Sequence, residues 1–259
     1  MRHCRFEFRG RPRYGRVENV QGADHITQLL GSDAAAESIE PIPFAKATLF
    51  ASVEPSKIVC LGRNYRAHAA EMGNEVPREP LIFFKPPSSI IPAGHPIRRP
   101  KASELVHFEG ELGVVISRKC YQLRPNEDVL PYILGYTVVN DVTARDLQKK
   151  DGQWTRGKGF DTFCPVGPLV TNEIDPWKGV KVETRVNEKV HQSGTTLDLV
   201  FPIDAIIRYI SAIMTLLPGD LIATGTPEGV GPLVAGDIIE VSVEGVGTLS
   251  NPVVDDLQA

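Results

Sequence analysis

Two glutamates two residues apart, Glu109 and Glu111, stand at the entry to an apolar run. Strand geometry has a side-chain period of two, so both carboxylates point to one face. The next strand-like run, apolar over 136–139, ends at a third carboxylate, Asp141. Carboxylates gathered in this way repel and raise one another's pKa unless a cation lies among them. Three of them at strand ends would form a hard oxygen site, suited to Mg2+, Mn2+ or Ca2+ rather than zinc. The competing reading is a solvated strand edge. Spacing alone leaves both open.

Three other places carry reactive groups. His68 and Glu71 fall three apart on a short predicted helix, where they share a face and a carboxylate can orient an imidazole as a general base. A surface ion pair fits the same spacing. Lys158 lies between Gly157 and Gly159, as an anion-binding lysine on closely approached backbone would, or as a solvated loop lysine would. The tract 224–231, Thr-Gly-Thr-Pro-Glu-Gly-Val-Gly, offers backbone N–H groups and hydroxyls to a small carboxylate. An ordinary hairpin turn is the alternative.

Other chemistries lack their residues. The chain has no GxxxxGK[ST] or GxGxxG tract, no G-x-S-x-G elbow, no HExxH pair and no CxxC pair. The four cysteines are widely spaced and read as reduced thiols. With 28 basic and 32 acidic residues and a net charge of −4, there is no electrostatic footprint for nucleic acid. No apolar stretch approaches the roughly 18 residues of a membrane span. Six arginines among the first 16 residues are followed by no apolar region, so a basic first hairpin is expected and not a secretory signal. A cytoplasmic protein is expected.

The elements that would position these groups are short. Gly and Pro together make up 44 of 259 residues without a period, which favours many strands and turns over a helical bundle. Residues 1–55 read as a small N-terminal β-rich domain, with strand-like pieces over 4–8, 14–20 and 26–30 and an Ala-rich turn before the prolines at 41 and 43. Residues 56–259 read as the larger, catalytic domain. Within it strands are expected over 57–61, 81–84, 111–117, 133–141, 166–170, 180–186, 221–224, 238–243 and 247–249. Asn64 is expected to cap a helix over 65–72, a second helix to cover 141–148, and the clearest helix to run over 202–216. The five prolines of 86–100 predict a long ordered loop or edge segment. The fold class is α+β, mainly β.

Taken together, these tracts resemble the fumarylacetoacetate hydrolase family. The blocks that carry the likeness are Gly62-Arg-Asn-Tyr-Arg-Ala-His68, Phe84-Lys-Pro86, Phe108-Glu-Gly-Glu-Leu-Gly-Val-Val115 and Asn140-Asp-Val-Thr-Ala-Arg-Asp-Leu-Gln148. They continue with Gly157-Lys-Gly-Phe-Asp-Thr-Phe-Cys-Pro165 and 218–231. The resemblance covers about 57–252 and implies a mixed β-roll, a homodimer and a divalent metal, Mg2+ with Mn2+ or Ca2+ as alternatives. It makes Glu109, Glu111 and Asp141 the metal ligands and His68 and Glu71 a water-activating pair. Arg145, Gln148 and Lys158 would face the substrate's carboxylate and oxo groups, with Lys158 catalytic, and Thr226 would hold the carboxylate's other end. The N-terminal domain resembles that of the bacterial members. His107, where many members have Asp or another His, is given no role.

The resemblance implies a metal-dependent enzyme acting on a small 2-oxo or 2,4-dioxo acid through a metal-stabilised enolate. Hydrolysis of an acylpyruvate C–C bond or decarboxylation of oxaloacetate is expected first. The alternative is a 2-hydroxyhepta-2,4-diene-1,7-dioate isomerase or 5-carboxymethyl-2-oxo-hex-3-ene-1,7-dioate decarboxylase of aromatic catabolism. Outside catalysis, a dicarboxylate-binding protein would fit the acids and turn, but binding alone needs no water-activating pair.

Overall fold

The computed structural model describes residues 1–31 and 36–256. The Ala-rich turn lies largely outside the described residues. The N-terminal strands are β1 (Arg2–Phe8), β2 (Arg11–Val20), β3 (Ala23–Leu30) and β4 (Ala36–Pro43). Then come β5 (Ile58–Gly62), α1 (Arg66–Glu71), β6 (Leu81–Lys85), β7 (Ile90–Ile91), β8 (Ile97–Arg99), β9 (Val106–His107) and β10 (Gly110–Ile116). They are followed by β11 (Ile133–Asn140), β12 (Thr143–Ala144), α2 (Arg145–Asp151), α3 (Thr155–Lys158), β13 (Cys164–Thr171), β14 (Lys181–Val186) and β15 (Lys189–Thr195). The chain closes with α4 (Ile203–Ile213), β16 (Leu221–Ala223), β17 (Ile238–Val243) and β18 (Gly247–Asp255). The fold is mainly β, as expected.

One sheet runs in the order β4-β3-β2-β1-β13-β11-β10-β16-β5-β6, and a second in the order β15-β14-β17-β18-β8. Most neighbours are antiparallel, but β16–β5 and β18–β8 are parallel, so the sheets are mixed. The N-terminal meander extends the large sheet through the pairing of β1 with β13, where Arg2 faces Thr171 and His3 faces Val170. The basic first hairpin is the β1–β2 pair. No described helix is long and apolar enough to cross a membrane.

Strand β10 explains how the acids reach their place. Leu112, Val114 and Ile116 enter the core between the two sheets, while Val115 packs in a separate cluster with Val139, Leu221 and Cys60. Period-two alternation puts Glu111 on the Val115 side and Gly110 on the inter-sheet side. Gly110 has no room for a side chain, because a Cβ there would lie 2.1 Å from Thr184 Oγ1 and 2.8 Å from Val241 Cγ1.

Several expected boundaries are corrected. Asn64 does not cap α1; its side chain donates to Thr224 O (2.7 Å) and Phe201 O (3.2 Å) and accepts from Phe201 N. Tyr65 stands at the helix start instead, in extended backbone. Helix α2 begins only at Arg145, because Thr143–Ala144 pair with β9 first. Helix α4 stops at Ile213, since Leu216 exchanges backbone hydrogen bonds of 2.9 Å with Cys120 and Met214 must turn extended to reach it. The proline-rich 86–100 tract contains β7 and β8, and the last strand runs on to Asp255. All four cysteines are buried free thiols.

The Gly110 contact yields a stability test. Gly110→Ala overpacks the inter-sheet core and is expected to lower stability by about 1–3 kcal/mol. A urea midpoint equal to the parent's would refute the close approach.

Candidate metal centre and active site

The three acids converge. One carboxylate oxygen from each of Glu109, Glu111 and Asp141 lies within 4.8 Å of the others, and all three residues are buried. Backbone geometry brings this about. Gly110 faces Asn140 across the β10–β11 ladder, Asp141 N donates to Glu109 O (2.8 Å), and Asn140 Oδ1 accepts from Glu109 N (3.0 Å). The solvated-edge reading is set aside by this burial.

Three cations compensate the acids. Lys158 Nζ donates to Glu109 Oε2 (2.7 Å) and to Asp141 Oδ2 (2.6 Å). Arg145 pairs with Glu109 through Nη2 and donates to Gln148 Oε1 (3.0 Å) through Nη1. Lys85, itself buried, lies 2.6 Å from Asp141 Oδ1 and donates to Val142 O (3.0 Å). Lys85 therefore ion-pairs with the Asp141 oxygen that Lys158 does not reach. Glu111 receives only Gly225 N (2.8 Å).

The two glutamates are therefore unlike. Burial pushes Glu109 upward, but Arg145 and Lys158 outweigh it and hold the carboxyl well below the usual range. Burial and the neighbouring Asp141 and Glu109 push Glu111 well above that range. For Lys158, burial opposes the charge, yet Asp141 and Glu109 outweigh it and raise its pKa. His107 lines the same cavity, and burial, with Arg145 nearby, pulls its imidazole down to about 4. It is neutral at physiological pH.

A cavity of about 500 Å3 opens over these groups and is lined by His68, Glu109, Glu111, Arg145, Gln148, Lys158 and Thr226, among others. His68 Nδ1 lies 3.3 Å from Glu71 Oε2. His68 is buried, while the Glu71 carboxylate keeps 35 % exposure. The 224–231 turn is a carboxylate cradle, and the carboxylates it holds belong to the protein. Gly225 N serves Glu111, and Gly229 N serves Glu71 at 3.0 and 3.2 Å. Gly229 has φ +94° and sits against the His191 carbonyl, leaving no room for another residue.

Lys158 is on the closely approached backbone its glycines suggested, since a Cβ on Gly157 would lie 2.9 Å from the Gln148 backbone. The Thr226 hydroxyl lines the cavity but donates to Gly110 O (2.9 Å) and accepts from Gln192 Nε2 (2.7 Å). Gln192 also accepts from Gly110 N (3.0 Å), so it fixes the backbone between the two glutamates. Gln192 and the ion-pairing role of Lys85 were missed by sequence reasoning. Lys85 had a signal, a lysine ending an apolar strand; Gln192, in a polar hairpin, had none.

Buried acids carried on a mixed β-roll define the class. Residues 57–254 match the family described as fumarylacetoacetate (FAA) hydrolase, C-terminal, and the chain belongs to that family of enzymes. A Mycobacterium tuberculosis protein is 52 % identical over 82 % of this chain and 80 % of its own length. The oxaloacetate tautomerase YisK of Bacillus subtilis is 43 % identical over 77 % of this chain and 70 % of its own. The crystal structure of 2-hydroxyhepta-2,4-diene-1,7-dioate isomerase from Mycobacterium marinum shares 42 % identity, covers 100 % of both chains and superposes with a TM-score of 0.89.

The donor set fits a divalent metal of the hard class: three buried carboxylates, of which Glu111 meets one backbone N–H and no cation among the described residues. Glu109, Glu111 and Asp141 would hold it. Because burial and the neighbouring acids favour the protonated form of Glu111, cation binding there is expected to be coupled to proton release. Mg2+ affinity should then rise with pH until Glu111 ionises in the free protein. Calorimetric Mg2+ titration in two buffers of different ionisation enthalpy reads the proton directly. Glu111→Gln should weaken binding and remove the release, and a parent protein that releases no proton would contradict the assignment.

Proposed function

We propose that this protein is a divalent-metal-dependent enzyme that moves a proton at C3 of a small 2-oxo acid, interconverting its keto and enol forms. The observation that supports this reading is the paired arrangement on one cavity: a three-carboxylate cluster, and facing into the same space a histidine oriented by a glutamate. When bound, a divalent cation supplies Lewis-acid polarisation of the 2-oxo carbonyl and so makes the C3 proton acidic. The chain's residues do the rest. Arg145 and Gln148 orient the substrate carboxylate, and Lys158 offers an ammonium to oxygen where negative charge develops. His68 takes the C3 proton at its Nε2, with Glu71 fixing the ring through Nδ1 and Gly229 N fixing Glu71. The names of YisK and of the M. marinum isomerase support ranking proton transfer first. Thr226 keeps its proposed place beside the substrate carboxylate, although in this geometry its hydroxyl serves the Glu109–Glu111 strand.

Cleavage is the second reading: hydrolysis of an acylpyruvate, or loss of CO2 from oxaloacetate. The partly exposed Glu71 carboxylate favours it, because water reaches the pair that would have to activate it. The same residues serve both readings up to the fate of the C3–C4 bond.

His68→Ala should lower oxaloacetate enol–keto interconversion, followed by ultraviolet absorbance, by about 10²–10⁴-fold, the usual scale for a positioned base. EDTA should abolish the activity and Mg2+ or Mn2+ restore it. Full turnover in EDTA would remove the metal reading, and an unchanged rate in His68→Ala would remove the base. Acetylpyruvate cleavage faster than tautomerisation would reverse the order of the two readings.

A further inference from the structure

Two of the cations lining the cavity, Arg63 and Lys149, are not used by the acid cluster. Arg145 and Lys158 pair with Glu109, and Lys158 also with Asp141. Arg63 lines the same cavity, is half-buried, and has no anionic partner among the described residues. The other lining cation without such a partner, Lys149, is exposed at the rim. An arginine at a cavity wall without a counter-charge is free to pair with an anionic group of a bound ligand.

The backbone adds a second, independent observation. Arg63 has φ +56°, a left-handed conformation that an unbranched residue other than Gly, Asn or Asp adopts only at a cost. Its neighbour Asn64 is locked by three hydrogen bonds to Phe201 and Thr224, and on its other side Gly62 ends strand β5. Between these fixed points the turn holds Arg63 at the cavity wall. Glycine would satisfy this backbone with less strain. Strain of this kind, held at a cavity wall by locked neighbours, is the sort found at ligand clamps.

We infer that Arg63 recognises a second carboxylate on the substrate, so that the site selects short 2-oxo dicarboxylates over 2-oxo monocarboxylates of equal length. The inference rests on the proposed reading of the cavity as a 2-oxo acid site. In the division of roles it implies, Arg145, Gln148 and Lys158 serve the reacting end, and Arg63 serves the distal end. A guanidinium presents parallel N–H groups that match a carboxylate in bidentate fashion, whereas a ketone oxygen or methyl group offers no such match. An acylpyruvate therefore leaves Arg63 unpaired, and a dicarboxylate satisfies it. Arg63 thereby favours oxaloacetate over acetylpyruvate as substrate, because only oxaloacetate carries the second carboxylate.

The test compares 2-oxoglutarate with 2-oxopentanoate, equal in chain length and differing at the distal end. Calorimetric titration of the Mg2+-loaded full chain should show 2-oxoglutarate bound about 10- to 100-fold more tightly, the scale of one charge-assisted pair. Arg63→Met should remove most of that preference while leaving 2-oxopentanoate affinity within about threefold. Arg63→Lys should retain part of it, which a merely structural role would not predict. Equal affinities in the parent, or an undiminished preference in Arg63→Met with unchanged thermal midpoint, overturns the assignment. If Arg63→Met fails to fold, absence of any preference difference between the parent and Arg63→Lys overturns it instead. Parent turnover of oxaloacetate is measured separately. A parent that shows the Arg63-dependent preference but no turnover refutes the proposed reaction and leaves the distal carboxylate site standing.

Discussion

The structure is organised around a repulsion. Three carboxylates within 4.8 Å of one another oppose each other by about 3 kcal/mol per pair at the effective dielectric of a protein interior. Were all three ionised, the sum would approach the whole stability of an ordinary domain, and compensation is built in. It comes from separate segments: Lys85 at the end of β6, Arg145 at the start of α2, Lys158 at the end of α3 and the Gly225 N–H between β16 and β17. Three cations match three carboxylates, and the group given only a neutral donor, Glu111, is the one driven toward its protonated form. A divalent cation would relieve the same repulsion, which ties metal binding to the state of that one glutamate.

The scaffold meets this demand by register. In β10 the inter-sheet side is filled by Leu112, Val114 and Ile116, so a slip of one residue would drive Glu111 into the apolar core and expose the core set. Gly110 makes the register specific, since only glycine fits against Thr184 and Val241 at that point. Gln192 then holds both Gly110 N and the Thr226 hydroxyl. The second sheet is thus part of the site's support, although none of its strands carries an acid ligand.

Sequence reasoning reached the parts that follow local rules. The E-x-E spacing, the strand ending at Asp141 and the i,i+3 pairing of His68 with Glu71 depend on two- and three-residue periods, and the structure clusters the three acids and places His68, Glu109 and Glu111 on one cavity. Asn64 was misread because a capping residue and a long-range hydrogen-bonding residue look alike in sequence; its partners lie 137 and 160 positions away. The end of α4 was misplaced for a similar reason, since Cys120, which pulls Leu216 out of the helix, has no local signal. The 224–231 turn was legible as a carboxylate cradle, but sequence could not say that Glu71 and Glu111 would fill it. Lys85 was quoted as part of a motif, yet its partner, Asp141, is visible only in three dimensions.

The two halves of the site are held with unequal firmness, and this bears on the chemistry. The acid cluster stands on paired strands with buried ion pairs on several sides. His68, the proposed base, stands on a six-residue helix, and the Glu71 carboxylate beside it keeps 35 % exposure and is tied to the body by Gly229 N alone among the described hydrogen bonds. A small displacement of α1 would move His68 relative to a fixed substrate head group. It would aim the imidazole at C3 in one position and at a water beside the distal carbonyl in another. Proton transfer and bond cleavage need the same polarised 2-oxo acid and differ in where the base points. On the proposed reading, the choice of reaction depends less on the acids than on what anchors the far end of the substrate and where His68 stands relative to it.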